Sequence, residues 1–485
     1  MRIRLLLGLL LLSAATGFSQ LSLTEVNRLE AAGQFKAASQ QLTQQLRRDE
    51  LAPAQRKVLE FELDRLERIK KDFPYTKDEL FAELKSAVKG LTRAEFDSWV
   101  AAGRFDSRNI DGRRWFMGSS VDNLFFRYRD LAARRIPAKD SSEEQRRHYE
   151  TCVTIEQAAR AAHKPYVLPK RFEATMTVTA KANAAPDGQL VRAWLPIPRE
   201  YPFQDGFTLL SASPAPTRIA DKDSPIRSVF LEEPAKTNQA TEFQVRYEYT
   251  ADGVWFDVDP AQVRAANPDD ASLKPFTAEA PHIVFTPEMR ALSQQIAGDE
   301  PNPYLRARKF YDWIAGNIKY SYAIEYSTIR NISDYCRSHG YGDCGQEALL
   351  FMTLCRLNGI PARWQSGWNT FPGGKSIHDW SEIYIAPYGW MPVDPYMGIY
   401  AMRYATNLSS AQRLTMRDFY FGGLDQYRMI ANSDHNQRLE PPKDSMRSDN
   451  VDFQRGELEW DHHNIYFDQY SYSLTIKELP HAPLE

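Results

Sequence analysis

Residues Gly345 to Leu357 constrain this chain more than any other stretch. Ala348, Leu349, Leu350, Phe351, Met352, Leu354 and Leu357 cover most of a helical circumference, so the segment reads as a helix buried on nearly every side. Asn358-Gly359 and then Pro361 stop it, the first as a C-terminal signal and the second by forbidding continuation. Such a helix needs other elements around it, and the next residues supply them. Ile360–Trp368, His378–Ile385 and Trp390–Val393 are strand-like runs divided by Pro372-Gly373-Gly374 and Pro387-Tyr388-Gly389. That is the punctuation of short strands. The fold class expected is α+β, a helix packed on an antiparallel sheet.

Three reactive side chains fall at the ends of these elements. Cys344 precedes the helix, His378 follows 34 residues later and opens a strand, and Asp394 lies 16 residues further on and closes the next strand. If the last two strands form a hairpin, His378 and Asp394 share one end of it. A thiol is a strong nucleophile only as thiolate, which a helix N-terminus and a nearby imidazolium both favour. A carboxylate behind the imidazole fixes its tautomer. The N–H groups that open the helix could also hold a developing oxyanion, whereas Glu347 in the first turn partly opposes a thiolate. The expected site is Cys344 as nucleophile, His378 as base and Asp394 as orienting acid. Taken singly, each has a plainer reading: a small buried hydrophobe, a satisfied histidine, a turn aspartate before proline. The ordered triplet points to chemistry. Tyr320, Tyr322 and Tyr326 are candidates to line a cleft or donate to an oxyanion, with packing the commoner role, and the same holds for Trp364, Trp368 and Trp380.

The segments Gly342–Trp368 (GDCGQEALLFMTLCRLNGIPARWQSGW), His378–Ile385 (HDWSEIYI) and Gly389–Gly398 (GWMPVDPYMG) resemble, in order and spacing, the transglutaminase-like superfamily. The resemblance covers roughly residues 300–400. It implies a papain-like core with Cys344, His378 and Asp394 as the triad. Animal members depend on calcium, but no Asp-x-Asp-x-Asn-Gly loop with a closing Glu is present here, so calcium is not carried over.

The remaining sequence frames this core. Arg2 and Arg4 precede the apolar run Leu5–Leu12 and a small-residue zone, the pattern of a secretory signal peptide over residues 1–19. The protein is therefore expected to be exported, periplasmic or extracellular. No later segment reaches the ~18 apolar residues of a membrane span. Without Arg2 and Arg4, 58 of the 60 Lys and Arg remain against 63 Asp and Glu, and nothing basic suggests a nucleic-acid partner. Residues 20–165 read as a helical accessory domain. Residues 166–285 alternate with period two, as in Phe172–Ala180 and Phe243–Tyr249, and read as a β-sandwich-like domain and linker, the linker being Ala265–Ala280. The catalytic domain is placed at 286–405 and a β-rich extension at 406–485. Export permits disulfides among Cys152, Cys336 and Cys355. A Cys336–Cys355 bond and fully reduced thiols both stay open, while Cys344 and Cys355 lie about 16 Å apart along one helix and cannot bridge. His462-His463 would point to opposite faces of a strand, and no zinc-type spacing occurs, so neither metal nor cofactor is expected. The function expected is cysteine-dependent hydrolysis or transfer of an amide or peptide acyl group, with a protein or peptide substrate, cell-wall peptide among the candidates. Hydrolysis is favoured over crosslinking. A non-catalytic peptide- or glycan-binding module on the same fold is the competing class.

Overall fold

The computed structural model describes residues 23–48, 51–137 and 140–480; the expected leader lies outside them. The chain divides into two units, residues 1–139 and 140–485. No helix among the described residues is long and apolar enough to cross a membrane.

The first unit is helical. Its helices include Phe35–Leu46, Pro53–Asp72, Lys77–Ala87, Arg93–Ala101 and Ser120–Arg127, with a hairpin of Ser107–Ile110 and Arg113–Phe116. Local sequence sets the starts: Thr76 and Glu79 form a reciprocal capping box at the Lys77 helix, which satisfies two otherwise orphaned N–H groups. Leu80, Leu84, Phe96, Trp99, Phe116, Leu124 and Phe125 make its core. The charges at Arg134 and Arg135 are not simply solvated, since Arg134 binds Glu95 with two N–H groups and Arg135 pairs with Asp122.

The second unit holds a sandwich of two five-stranded sheets and a separate four-stranded sheet. In the sandwich, Tyr166–Ala180 pairs with Thr241–Trp255 and with Tyr470–Leu479. The facing sheet is built on Leu190–Pro196, Ser228–Pro234 and Glu457–Trp460. The period-two residues Phe172, Ala174, Met176, Val178, Phe243, Val245, Tyr247 and Tyr249 are buried between them, as the alternation demands.

Two stretches sit elsewhere than the sequence suggested. Helix Ser142–Ala162, expected in the helical N-terminal domain, puts Cys152 and Ile155 into a core with Met397, Ala401, Met416 and Tyr420. The expected β-rich extension is not one layer. Arg428–Asn432 is a strand of the four-stranded sheet, whereas Glu457–Trp460, His463–Ile465 and Tyr470–Leu479 complete the two sandwich sheets. His463–Ile465 pairs with its neighbour Glu457–Trp460, but the sandwich partners of Glu457–Trp460 and Tyr470–Leu479 lie hundreds of residues upstream, beyond the reach of local pattern. The expected linker 265–280 is also pinned, because the buried Arg356 guanidinium donates to the carbonyls of Pro275 and Ala278 at 3.2 Å.

The four-stranded sheet runs Gly389–Val393, Ser376–Ile385, Ala362–Asn369, Arg428–Asn432, all antiparallel. On it packs helix Cys344–Leu357, flanked by helices Pro303–Asn317 and Ile332–His339. Residues Gly345 to Arg356 of that helix are all buried. Gly367 lies opposite His378 at a shift of register towards Arg428–Asn432. A Cβ there would come 1.8 Å from the Met429 carbonyl oxygen, so only glycine lets the fourth strand close on the third.

Candidate active site

Cys344 is the first residue of its helix. Asp343 caps it, accepting the Gln346 N–H at 3.1 Å, and also accepts the Tyr326 hydroxyl at 2.6 Å. Across from it, His378 Nε2 lies 2.8 Å from Asp394 Oδ2, both side chains being buried. Asp394 caps the short helix Pro395–Ile399 through the Met397 N–H at 3.0 Å and takes an N–H of Arg428 at 3.1 Å. Arg428 in turn binds Asp425 at 3.1 Å. Trp380 stacks on the imidazole at 5.5 Å, held by its indole N–H on Gln365, and Tyr396 meets the same ring edge-on at 5.2 Å. The hairpin therefore does what the sequence asked of it, bringing His378 and Asp394 together.

The thiol makes a different bond from the one the sequence suggested. Cys344 Sγ donates to Asp379 Oδ2 at 3.5 Å, and not to the imidazole. Asp379 Oδ1 accepts Gln454 Nε2, which also donates to the His378 carbonyl at 2.8 Å. Gly345 allows this crowding: a Cβ there would fall 2.2 Å from the Tyr326 hydroxyl and 2.8 Å from Asp379 Oδ2.

The electrostatics follow from these partners. Burial works against ionisation of Asp394, but His378, Arg428 and the Met397 N–H outweigh it and hold the carboxyl below its ordinary range. Burial lowers the His378 imidazole despite Asp394, which leaves a neutral ring able to take a proton. The thiol goes the other way. Burial, then Asp379 and Asp343, push Cys344 well above an ordinary cysteine, so the helix N-terminus does not by itself yield a thiolate. Burial pushes Asp343 up to about 6, and burial with Asp343 and Asp449 raises Asp379 well above a normal carboxyl. Glu347, buried with no hydrogen-bond partner on either oxygen, is likewise raised by burial and by Asp343 and Asp394.

All four cysteines are free, with Cys152, Cys336 and Cys355 buried. Trp364, Trp368 and Trp380 are core residues rather than cleft walls. Tyr326 donates to Asp343, the cap of the Cys344 helix, and Tyr320 packs 4.8 Å from Tyr396.

Residues 290–395 match the model of the transglutaminase-like superfamily. The chain carries a transglutaminase-like domain. A Bacillus subtilis protein, the uncharacterized YebA, is 26% identical over 129 residues, which are 23% of this chain and 17% of that protein. A crystal structure from Cytophaga hutchinsonii, described as a candidate cysteine protease, aligns at 17% identity over 65% of this chain and 93% of its own, with a TM-score of 0.42. The periplasmic domain of TgpA from Pseudomonas aeruginosa aligns at 14% identity over 48% of this chain and 90% of its own, with a TM-score of 0.27.

Within the transglutaminase-like domain and its surroundings, the triad candidates rest on partners that the motif reading did not include. Asp379 stood in the His378-Asp379-Trp380 motif, and a second carboxylate beside a candidate base was a usable signal. Arg428 and Gln454 follow Asp394 by 34 and 60 residues and carry no local pattern that marks them.

Proposed function

We propose that this protein is an exported cysteine hydrolase of amide or peptide bonds, working through a Cys344-His378-Asp394 triad. The observation that carries this is the His378–Asp394 hydrogen bond, backed by Arg428, on a strand against which packs the helix that opens with Cys344. The neutral imidazole takes the Cys344 proton as sulfur attacks the carbonyl carbon, so the S–C bond forms and the carbonyl oxygen becomes an oxyanion. The positive end of the helix that Cys344 opens favours such a charge. His378 then gives the proton to the departing amine as the C–N bond breaks, leaving a thioester. Water, losing a proton to His378, attacks the thioester and releases the acid and the free thiol. Asp394 keeps the ring oriented and stabilises the imidazolium throughout. A protein or peptide is the substrate class. Crosslinking uses the same steps with an amine in place of water.

The experiment is incubation of the mature protein with a glutamine-containing acyl donor peptide and a peptide-amide library, with and without a primary amine. Acid products that vanish with Cys344→Ala and His378→Ala support hydrolysis. Predominant incorporation of the amine makes the protein a crosslinker, and turnover unchanged in Cys344→Ala removes the triad altogether.

A further inference from the structure

The residue beside the base has no role in the chemistry above, yet it holds the nucleophile. We infer that Asp379 is a further residue of the reacting centre: its carboxyl clasps the Cys344 thiol in a resting arrangement, and transfer of that hydrogen bond to His378 arms the nucleophile. The inference rests on the acyl-transfer reading of Cys344 and extends it to how the thiol is controlled.

The geometry is specific. Asp379 Oδ2 lies 3.5 Å from Sγ, and its other oxygen is fixed by Gln454 Nε2, whose second N–H holds the His378 carbonyl. One amide thus ties the clasp to the backbone of the base, and the carboxyl cannot drift from the thiol without loosening the strand that carries His378. The surroundings make the clasp protonic rather than ionic. Facing Asp379 are Asp343 from the helix cap, the Tyr326 hydroxyl, and Asp449, Asp452 and Arg455 from the segment before strand Glu457–Trp460. Arg455 also pairs with Glu325 at 3.3 Å. Facing the thiol are Asp379, Asp343, Glu347, Tyr320 and Tyr396. Acids outnumber the single cation, so an additional negative charge on sulfur is opposed until His378 can take the proton. This is the reverse of a free-standing Cys–His pair, where the imidazolium draws the thiol pKa down. Gly345 is the permissive element, since any side chain at that position would push Asp379 and Tyr326 away from the thiol. A carboxylate that touches the nucleophile has a clear consequence: it silences the thiol towards small electrophiles at neutral pH and leaves it responsive to an occupied, reorganised site.

The test is iodoacetamide alkylation of the full mature chain from pH 5 to 10, with mass mapping of Cys344, on wild type, Asp379→Asn, Asp379→Glu and Asp379→Ser, with thermal melts of each. In wild type the midpoint for Cys344 is expected above that of an ordinary thiol, about 8.5. Asp379→Asn is expected to lower the midpoint by at least one unit and to speed alkylation at pH 7 about tenfold. Asp379→Glu is expected to restore the slow profile. A structural role would change the melt and leave the midpoint in place. Asp379→Ser is read in the same way if Asp379→Asn does not fold. A wild-type midpoint below 7, or an unmoved midpoint in a folded variant, overturns the clasp and leaves the triad standing. Hydrolysis that survives Cys344→Ala overturns the triad itself and the clasp with it.

Discussion

The two sides of His378 are built from the same residue type and behave oppositely. Behind the ring, Asp394 has a cation, an imidazole and a backbone N–H, and stays ionised below the usual range. On the thiol's side, the buried Asp379 and the half-buried Asp343 face other acids, and both are raised. Burial alone would raise all three carboxyls. The difference is His378 first and then Arg428, which sits between Asp394 and Asp425 and pairs with both. The rear of His378 thus keeps a fixed negative charge, while burial and the carboxyls near the thiol keep Cys344 protonated.

The sharpest way to break this contrast is at its rear. Asp394→Asn keeps the shape but allows the wrong imidazole tautomer, and kcat for peptide hydrolysis is expected to fall roughly 10³–10⁴-fold without loss of fold. Steady-state hydrolysis with a melting curve checks it, and a variant retaining a tenth of the rate would remove Asp394 from the orienting role. Arg428→Met leaves two buried carboxylates without their shared cation. Its denaturant midpoint is expected to report a loss of about 3–5 kcal/mol, most of it recovered when Asp425→Asn and Asp394→Asn are added.

The front of the site is sharpened through pH. Asp343 has its folded pKa raised to about 6, against about 3.9 for the unfolded chain. For an acid raised in the folded state, the penalty is absent below the unfolded value, grows between the two, and is complete above about 6. Asp343→Asn keeps an oxygen for Tyr326 and for the Gln346 N–H. It is expected to stabilise the protein by up to about 3 kcal/mol at pH 8 and by nothing at pH 3, read by urea unfolding at both. Equal effects at the two pH values would mean that Asp343 is not raised. The smallest effect belongs to Gly345→Ala. Its methyl would meet Tyr326 and Asp379, and overpacking of this kind costs about 1–2 kcal/mol. Part of that cost should return in Gly345→Ala with Tyr326→Phe, measured as a melting-temperature difference.

What the sequence revealed of this site is what short-range pattern can encode. The apolar run after Cys344 and the Gly- and Pro-bounded strands placed the helix and hairpin, and with them His378 beside Asp394. Their electrostatic setting was not legible in the same way. The thiol was expected to be drawn down by the helix end, and two carboxyls that reach it from the cap and from the next strand outweigh that effect. Arg428 arrives from a strand admitted only by the missing side chain of Gly367. Gln454 arrives from an irregular stretch between sheets. Helix Ser142–Ala162 reads locally like the helices before it, and only its partners Met397 and Met416 assign it to the second unit. Periodicity reports which face is buried, and the identity of the covering element comes from tertiary pairing.

The strand Tyr470–Leu479 pairs residue for residue with Arg171–Ala180, so the sandwich that begins early in the second unit is finished almost 300 residues later. Between those two events the chain must traverse the entire four-stranded sheet. Contacts of such sequence separation form late, because loop closure precedes their reward. The chain must therefore be made as far as residue 454 before Arg428 and Gln454 can both reach His378, Asp379 and Asp394. A nascent or truncated chain ending near residue 405 would carry Cys344, His378, Asp379 and Asp394 without the Arg428 guanidinium and the Gln454 amide that hold three of them. The topology thus works as an ordering device, in which the residues that steady His378, Asp379 and Asp394 are made after the residues they steady.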